Sequence, residues 1–273
     1  MTSLETPAVA TFSLGSSDDS GAGRMALYFA RGFQRRGWLV SAVCPEPVAG
    51  SASIVDRLVA EGVDVEVVPP FGGRLDRAVI RRFAEHFRRR KSRLVVSLHQ
   101  QDMKFAGLAA LRAGVPYVAS GQNTFTFSGG RLRQLASRGV LGWILNRSCR
   151  EVVATSDRVA GEFRRLLRFR GPVSILPNGV DTRPIREARP ARDEVRRSLD
   201  HPPGALVFVS VGRITRQKNQ RELDEAFHEA FGARASVRLL LVGGVLEEGA
   251  QREEDRAYGQ ALRARLDALG LAD

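Results

Sequence analysis

Short apolar runs of strand length alternate with segments of helical period through the first two-thirds of the chain. Nothing else in the sequence restricts the fold as much. Val9 to Leu14 is a buried-strand run of β-branched, aromatic and aliphatic residues. A loop from Gly15 to Gly21 follows, and then Met25, Phe29 and Phe33 recur at helical spacing up to Gly37. The pattern predicts further strands over 39–44, 63–68, 94–98, 117–120, 152–155 and 173–176. Between them it predicts helices over 54–61, 76–90, 105–113, 131–148 and 157–168. Pro45, Pro47, Pro69 and Pro70 stop the second and third strands, because proline has no N–H for a sheet ladder. Strands that each lead into a helix build a parallel sheet covered on both faces. Residues 1–180 therefore read as an α/β, doubly wound, Rossmann-like domain.

The composition changes after Pro177-Asn178-Gly179-Val180-Asp181. Thr182 to Gly204 is rich in Arg and Pro and reads as a linker with one short helix. A strand over 206–211, a helix over 220–231, a strand over 237–242 and a helix over 253–269 ending at Gly270 complete the chain. At ~150 residues per domain, 273 residues make one full domain and most of another. Two parallel strands cannot cover their own faces or protect their edges. Residues 181–273 are accordingly expected to be an incomplete second domain of the same kind.

Composition narrows the functional classes. With 43% hydrophobic residues the chain is not a disordered polymer, and no apolar run reaches the ~18 residues of a membrane span. Met1 to Thr6 has neither the basic start nor the apolar stretch of a signal peptide. Two cysteines, Cys44 and Cys149, and four scattered histidines give neither a disulfide framework nor a zinc spacing. A cytoplasmic protein with no metal is the expectation. The net charge is +12, with 42 basic side chains of which three (Lys91, Lys104, Lys218) are lysine. The whole excess lies within residues 1–180, so that part is the one to attract anionic partners.

Several segments carry chemistry, each with a plainer reading beside it. Gly21-Ala22-Gly23-Arg24-Met25-Ala26 matches the dinucleotide pattern G-x-G-x-x-A, with Glu46 ending the second strand as a ribose acid would. That oxidoreductase alternative is weakened by the six residues between the strand and Gly21, since the fingerprint needs its first glycine in the turn directly after the strand. The same loop can still bring backbone N–H groups and a helix N-terminus to a phosphate or sugar. Val209 to Asn219 is the strongest segment. A buried strand delivers Gly212 and Arg213, and Lys218 sits at the start of the next helix, so two cations and a helix N-terminus converge as a diphosphate requires. The plainer reading is two solvated cations in a loop. His99 and Gln122 each follow a strand at the carboxyl end of the sheet, where open α/β folds bind ligands; a satisfied core histidine is the alternative.

Two basic amphipathic stretches stand apart. Arg81 to Arg93 holds seven basic residues against one acid, with Ile80, Phe83 and Phe87 on one face. Arg131 to Arg138 followed by Trp143, Ile144 and Leu145 is the second. A solvated face over a core seam suits the first and a buried helix the second. Contact with an anionic membrane surface is the sharper reading of both. Nucleic acid is not the expected partner, since no aromatic interleaving or recognition motif accompanies the charge.

In order, these segments resemble the retaining, GT-B-fold glycosyltransferases of family 4. The likeness is carried by Ser20-Gly21-Ala22, Ala30 to Val40, Leu98-His99, Val152 to Ser156, Ile175 to Asp181, Val211 to Asn219 leading to Ala226-Phe227, and Leu239 to Gly244. The resemblance implies two Rossmann-like domains, the N-terminal one (1–180) for the acceptor and the C-terminal one (181–273) for a nucleotide-sugar donor, with no metal or cofactor. It implies that Arg213 and Lys218 hold the donor diphosphate, that Ser20 and Gly21 let backbone approach the substrates, and that Gly243 and Gly244 border the base pocket. His99 and Gln122 would face the reacting sugar, although many members carry histidine at the second of these positions. Glutamine can bond a sugar hydroxyl but does not titrate near neutrality. The family's paired glutamates would fall beyond Asp273, so a truncated or non-catalytic half-enzyme that binds or scaffolds is the alternative to transfer. The acceptor expected is a glycan or a lipid-linked sugar, and the basic N-terminal domain suggests that it is membrane-bound or anionic, with peripheral contact to an anionic membrane.

Overall fold

A computed structural model describes residues 7–17, 21–47, 53–71, 74–232, 234, 236–245 and 252–269. The chain forms two compact units, Met1–Val180 and Asp181–Asp273. In the first unit β1 (Val9–Ser13), α1 (Gly21–Gln34), β2 (Leu39–Pro45), α2 (Ile54–Ala60), β3 (Asp64–Val68), α3 (Arg77–Arg89) and β4 (Ser92–Ser97) come in turn. They are followed by α4 (Gln100–Ala113), β5 (Tyr117–Gly121), α5 (Arg131–Ser148), β6 (Cys149–Ala154), α6 (Asp157–Arg165) and β7 (Val173–Ile175).

The seven strands form one parallel sheet in the order β3-β2-β1-β4-β5-β6-β7. Strand order reverses between β1 and β4, so the connections leave the sheet on opposite faces there and open a crevice at the strands' carboxyl ends. Apolar residues pack on both faces, as the near-continuous apolar strands require. Phe12, Leu14, Leu27, Ile54 and Leu58 fill one side, and Phe83, Phe87, Phe105 and Phe163 the other.

Inside this apolar sheet lies a chain of polar side chains. Thr11 Oγ1 is 2.7 Å from Ser41 Oγ and 2.6 Å from Ser92 Oγ, and Ser41 Oγ is 3.2 Å from His86 Nε2. The other nitrogen of His86, Nδ1, is 2.6 Å from the Glu66 carboxylate. Each buried group thus finds a partner. α3 buries Val79, Phe83 and Phe87, and three arginines on or just after it meet acids of the unit. Arg81 faces Glu85 at 3.8 Å, Arg89 reaches Glu66, and Arg90 reaches Asp64.

Four local expectations are corrected. α4 begins at Gln100, not Phe105, because Asp102 accepts a hydrogen bond from the His99 backbone and caps a full extra turn. α6 ends at Arg165 instead of 168, since Arg168 takes a left-handed conformation (φ 51°) that leaves the helix. The linker holds two short helices, α7 (Arg183–Glu187) and α8 (Arg192–Ser198), separated by a 3-10 turn over Arg189–Ala191. α5 is not a buried helix: Leu141, Ile144 and Leu145 are buried, but Leu132, Leu135 and Trp143 stay exposed because the core covers only one side of it.

The second unit continues with β8 (Leu206–Val211), α9 (Gln220–Phe231), β9 (Val237–Val242) and α10 (Arg252–Ala268). β8 and β9 pair in parallel over six residue pairs, from Leu206 with Val237 to Val211 with Val242. Phe208 on β8 packs against Phe227 and Phe231 of α9. Arg265 on α10 bonds the buried Asp224 carboxylate of α9 at 3.0 Å. The proposed C-cap, Gly270, lies outside the described residues. Among those residues no helix is long and apolar enough to cross a membrane.

Candidate functional site

The carboxyl-end crevice of the first unit brings Gly15, His99 and the start of α4 together. Gly15 follows β1, and its backbone N–H donates to His99 Nδ1 at 3.2 Å. That bond makes Nδ1 the acceptor of the neutral ring and leaves the ring proton on Nε2. A Cβ on Gly15 would lie 2.9 Å from the His99 Cβ, so only glycine lets β1 and α4 approach this closely. Behind His99, the fully buried Asp102 carboxylate accepts from the backbone N–H groups of His99 (2.9 Å) and Leu98 (3.4 Å). Burial pushes its carboxyl up to about 7, against the opposing pull of the Ser13 hydroxyl and those N–H groups.

Gln122 lies one residue beyond β5. Its Nε2 donates to Ser120 Oγ at 2.6 Å, while its buried Oε1 has no hydrogen-bond partner. The loop that follows is fixed from two sides. Gln100 on α4 donates to Thr126 O (2.8 Å) and accepts from Thr126 N (2.9 Å), and Glu162 on α6 accepts from Phe125 N at 2.7 Å. Gly21 is the exposed first residue of α1, and nothing lies within 4 Å of where its Cβ would be. Gly21 to Ala26 thus sit inside the helix rather than in the turn after β1, which is not where a dinucleotide fingerprint places its glycines. Ser20 lies outside the described residues.

In the second unit the predicted residues gather at the carboxyl ends of β8 and β9. Gly243 packs directly on Gly212: a Cβ on Gly243 would fall 1.8 Å from the Gly212 carbonyl oxygen. Gly244 O accepts from Ile214 N at 2.9 Å, and nothing lies within 4 Å of its own Cβ position. The buried Gln220 side chain holds the loop between them, donating to Arg213 O (2.7 Å) and accepting from Thr215 N (3.3 Å). Lys218 closes a 3-10 turn (Arg216–Lys218), and its Cε runs 3.9 Å from the Cβ position of Gly212. Asn219 then turns in a left-handed conformation (φ 53°) into α9. Arg213 and Lys218 are both exposed on this loop, whose Thr215 Oγ1 is buried without a partner.

Sequence reasoning missed Gly15, Asp102 and Gln220, which position the others. The Asp three residues after His99 was a legible signal, because that spacing is a capping box. Gln220 was not legible, because its role depends on a loop reversal that brings it back to Arg213. Among the described residues no three His, Cys, Asp or Glu side chains group as metal ligands do.

The profile of Glycosyltransferase Family 4 matches residues 20–183, more than half of the chain. The chain belongs to glycosyltransferase family 4. Over 132 residues this family-4 chain is 35% identical to a 2-deoxystreptamine N-acetyl-D-glucosaminyltransferase of Streptomyces fradiae. That match covers 46% of the chain, which spans 28% of the length of that relative. Among solved structures, Anabaena HepE in complex with UDP and glucose is similar with a TM-score of 0.73 and 17% identity, over 98% of this chain and 68% of that one. A glycosyltransferase from Rickettsia africae is similar with a TM-score of 0.70 and 13% identity, over 98% and 67%. These likenesses give the family-4 chain the GT-B fold class, with Rossmann-like units.

Proposed function

We propose that the protein transfers a sugar from a nucleotide-sugar donor to a glycan or lipid-linked acceptor, with retention at the anomeric carbon and without a metal. The observation that carries this reading is the Gly212–Lys218 loop. There a glycine-on-glycine contact clears the backbone, and two exposed cations stand beside a helix start. Arg213 and Lys218 bind the diphosphate, each through a charge-assisted contact worth ~1.5–3 kcal/mol. Those contacts strengthen as charge develops on the leaving nucleotide. Gly243 and Gly244 border the base. In the first unit His99 and Gln122 face the reacting sugar, and Ser20 and Gly21 let backbone approach donor or acceptor. Support comes from family membership and from HepE, which was crystallised with UDP and glucose.

The protein works in the cytoplasm, where nucleotide sugars are the substrates. The second reading is a protein that binds or scaffolds without transfer; in its second unit the β8 side chains Val209 and Val211 are exposed. A transfer assay over a panel of nucleotide sugars, with the product anomer read by proton NMR, tests the proposal. Transfer with retained configuration supports it. Inversion overturns the retaining mechanism, and binding of donor without transfer to any acceptor favours the second reading.

A further inference from the structure

α5 is apolar on two opposite sides. Leu141, Ile144 and Leu145 enter the core, while Leu132, Leu135, Gly139 and Trp143, at i, i+3, i+7 and i+11, form a stripe on the other side. Leu132 is 84%, Leu135 60% and Trp143 59% exposed. A contiguous apolar stripe of this kind on a surface marks an interaction site. α5 has four arginines (Arg131, Arg133, Arg138, Arg147) and no acid. By helical spacing they flank the stripe on both sides, and the Arg147 guanidinium lies 5.9 Å from the Trp143 ring.

Beside the stripe lies a cavity of about 580 Å³ between α5 and the segment after α6. Leu135, Arg138, Trp143, Arg165, Arg168 and Arg170 line it, and no Asp or Glu does. Arg165, Arg168 and Arg170 make no ion pair among the described residues, and Arg138 Nε is buried without a hydrogen-bond acceptor. On and just after α3, by contrast, Arg81, Arg89 and Arg90 face Glu85, Glu66 and Asp64. α5 ends where β6 begins and the loop after α6 leads into β7. The C-terminal half of α5 and the segment after α6, which line much of the cavity, therefore lie toward the amino ends of the strands.

The geometry points to this face, α5 with the Arg165–Arg170 segment, as a docking surface for an anionic phospholipid membrane. Leu132, Leu135 and Trp143 enter the headgroup–acyl boundary, where a tryptophan ring is at home. The surrounding arginines take lipid phosphates while their stems lie along apolar surface. This assignment goes beyond the transferase reading and does not rest on it.

The test is flotation of the full chain with phosphatidylcholine vesicles and with mixed phosphatidylcholine–phosphatidylglycerol vesicles. The result expected is binding to the mixed vesicles at least about tenfold above the neutral ones. Leu135→Ser with Trp143→Ser, and separately Arg168→Gln with Arg170→Gln, should each weaken it about tenfold without changing the melting temperature. Arg81→Gln with Arg82→Gln on α3 should bind as the wild type does. The wild-type emission should shift to the blue on binding, and a Trp143→Phe variant, which keeps Trp38, should show no shift. The assignment is overturned if the mixed vesicles bind no better than the neutral ones, or if the α5 variants bind normally. Displacement from vesicles by equimolar inorganic phosphate would reduce it to a simple anion site. Self-association through these residues without vesicle binding would give the stripe to a second copy. None of these outcomes reads sugar transfer, so the transferase reading fails or stands on its own assay.

Discussion

The backbone N–H of Gly15 donates to Nδ1 of His99 across the point where strand order reverses, at 3.2 Å. One bond thereby ties the end of β1 to the first turn of α4 and sets the tautomer of the histidine. Gly15→Ala places a Cβ 2.9 Å from that of His99 and 3.1 Å from that of Gln101. The two elements must separate, at a cost of ~1–3 kcal/mol in urea unfolding. Transfer activity should fall further than stability does, because the imidazole loses its fixed orientation. A variant as stable and as active as the wild type would refute the role given to this contact.

Asp102 makes stability depend on pH with a definite sign. Its folded carboxyl titrates at about 7, above the ordinary 3.8, so the folded state holds the proton more tightly. The contribution is complete below about pH 4 and is lost as pH rises through 7, an effect of up to ~4 kcal/mol. Asp102→Asn should remove this slope: the stability difference between wild type and variant, measured in urea at pH 5 and pH 8, should shift against the wild type at the higher pH. A difference independent of pH would contradict it.

His86 acts in the opposite direction. Burial lowers its protonation below the ordinary 6.5, although the Glu66 carboxylate and Asp64 favour the charged ring and Arg89 disfavours it. A group with a depressed folded value contributes stability that is present above pH 6.5 and lost as pH falls through the folded value. His86→Gln, which can keep contacts to Ser41 and Glu66, should flatten the acid limb of the stability curve below pH 6. An unchanged acid limb would show that another group carries it.

Two neighbouring glycines separate packing from exposure. Gly243→Ala would drive a methyl group to 1.8 Å from the Gly212 oxygen and push β9 off the Arg213 loop, whereas Gly244 has open space around its Cβ position. Nucleotide-sugar affinity should drop at least about tenfold in the first variant and change less than about threefold in the second. Equal effects would mean that the Gly212–Gly243 contact does not shape the donor site.

The sheet was legible because its strands are continuous apolar runs separated by helices of clear period, from Val9 to Ile175. The start of α4 is legible only through the Asp102 cap, since Gln100, Gln101 and Asp102 show no apolar period. The burial of α5 is not legible for a different reason. Leu132, Leu135 and Trp143 read as core by hydropathy alone, and only the fold shows that the core lies on the other side of the helix. In the site, Arg213 and Lys218 were visible because a strand, a glycine and a cation occur in sequence order. Gln220 and Gly15 act through backbone groups brought close by the fold, and side-chain type carries no trace of that.

Isothermal titration of the full chain with UDP-, GDP- and ADP-sugars tests the central claim, that the Gly212–Lys218 loop holds a nucleotide-sugar diphosphate. Binding of one of these donors, weakened at least about tenfold by Lys218→Ala, is the predicted result. Binding that is unchanged in Lys218→Ala, or no binding of any nucleotide sugar, would contradict it.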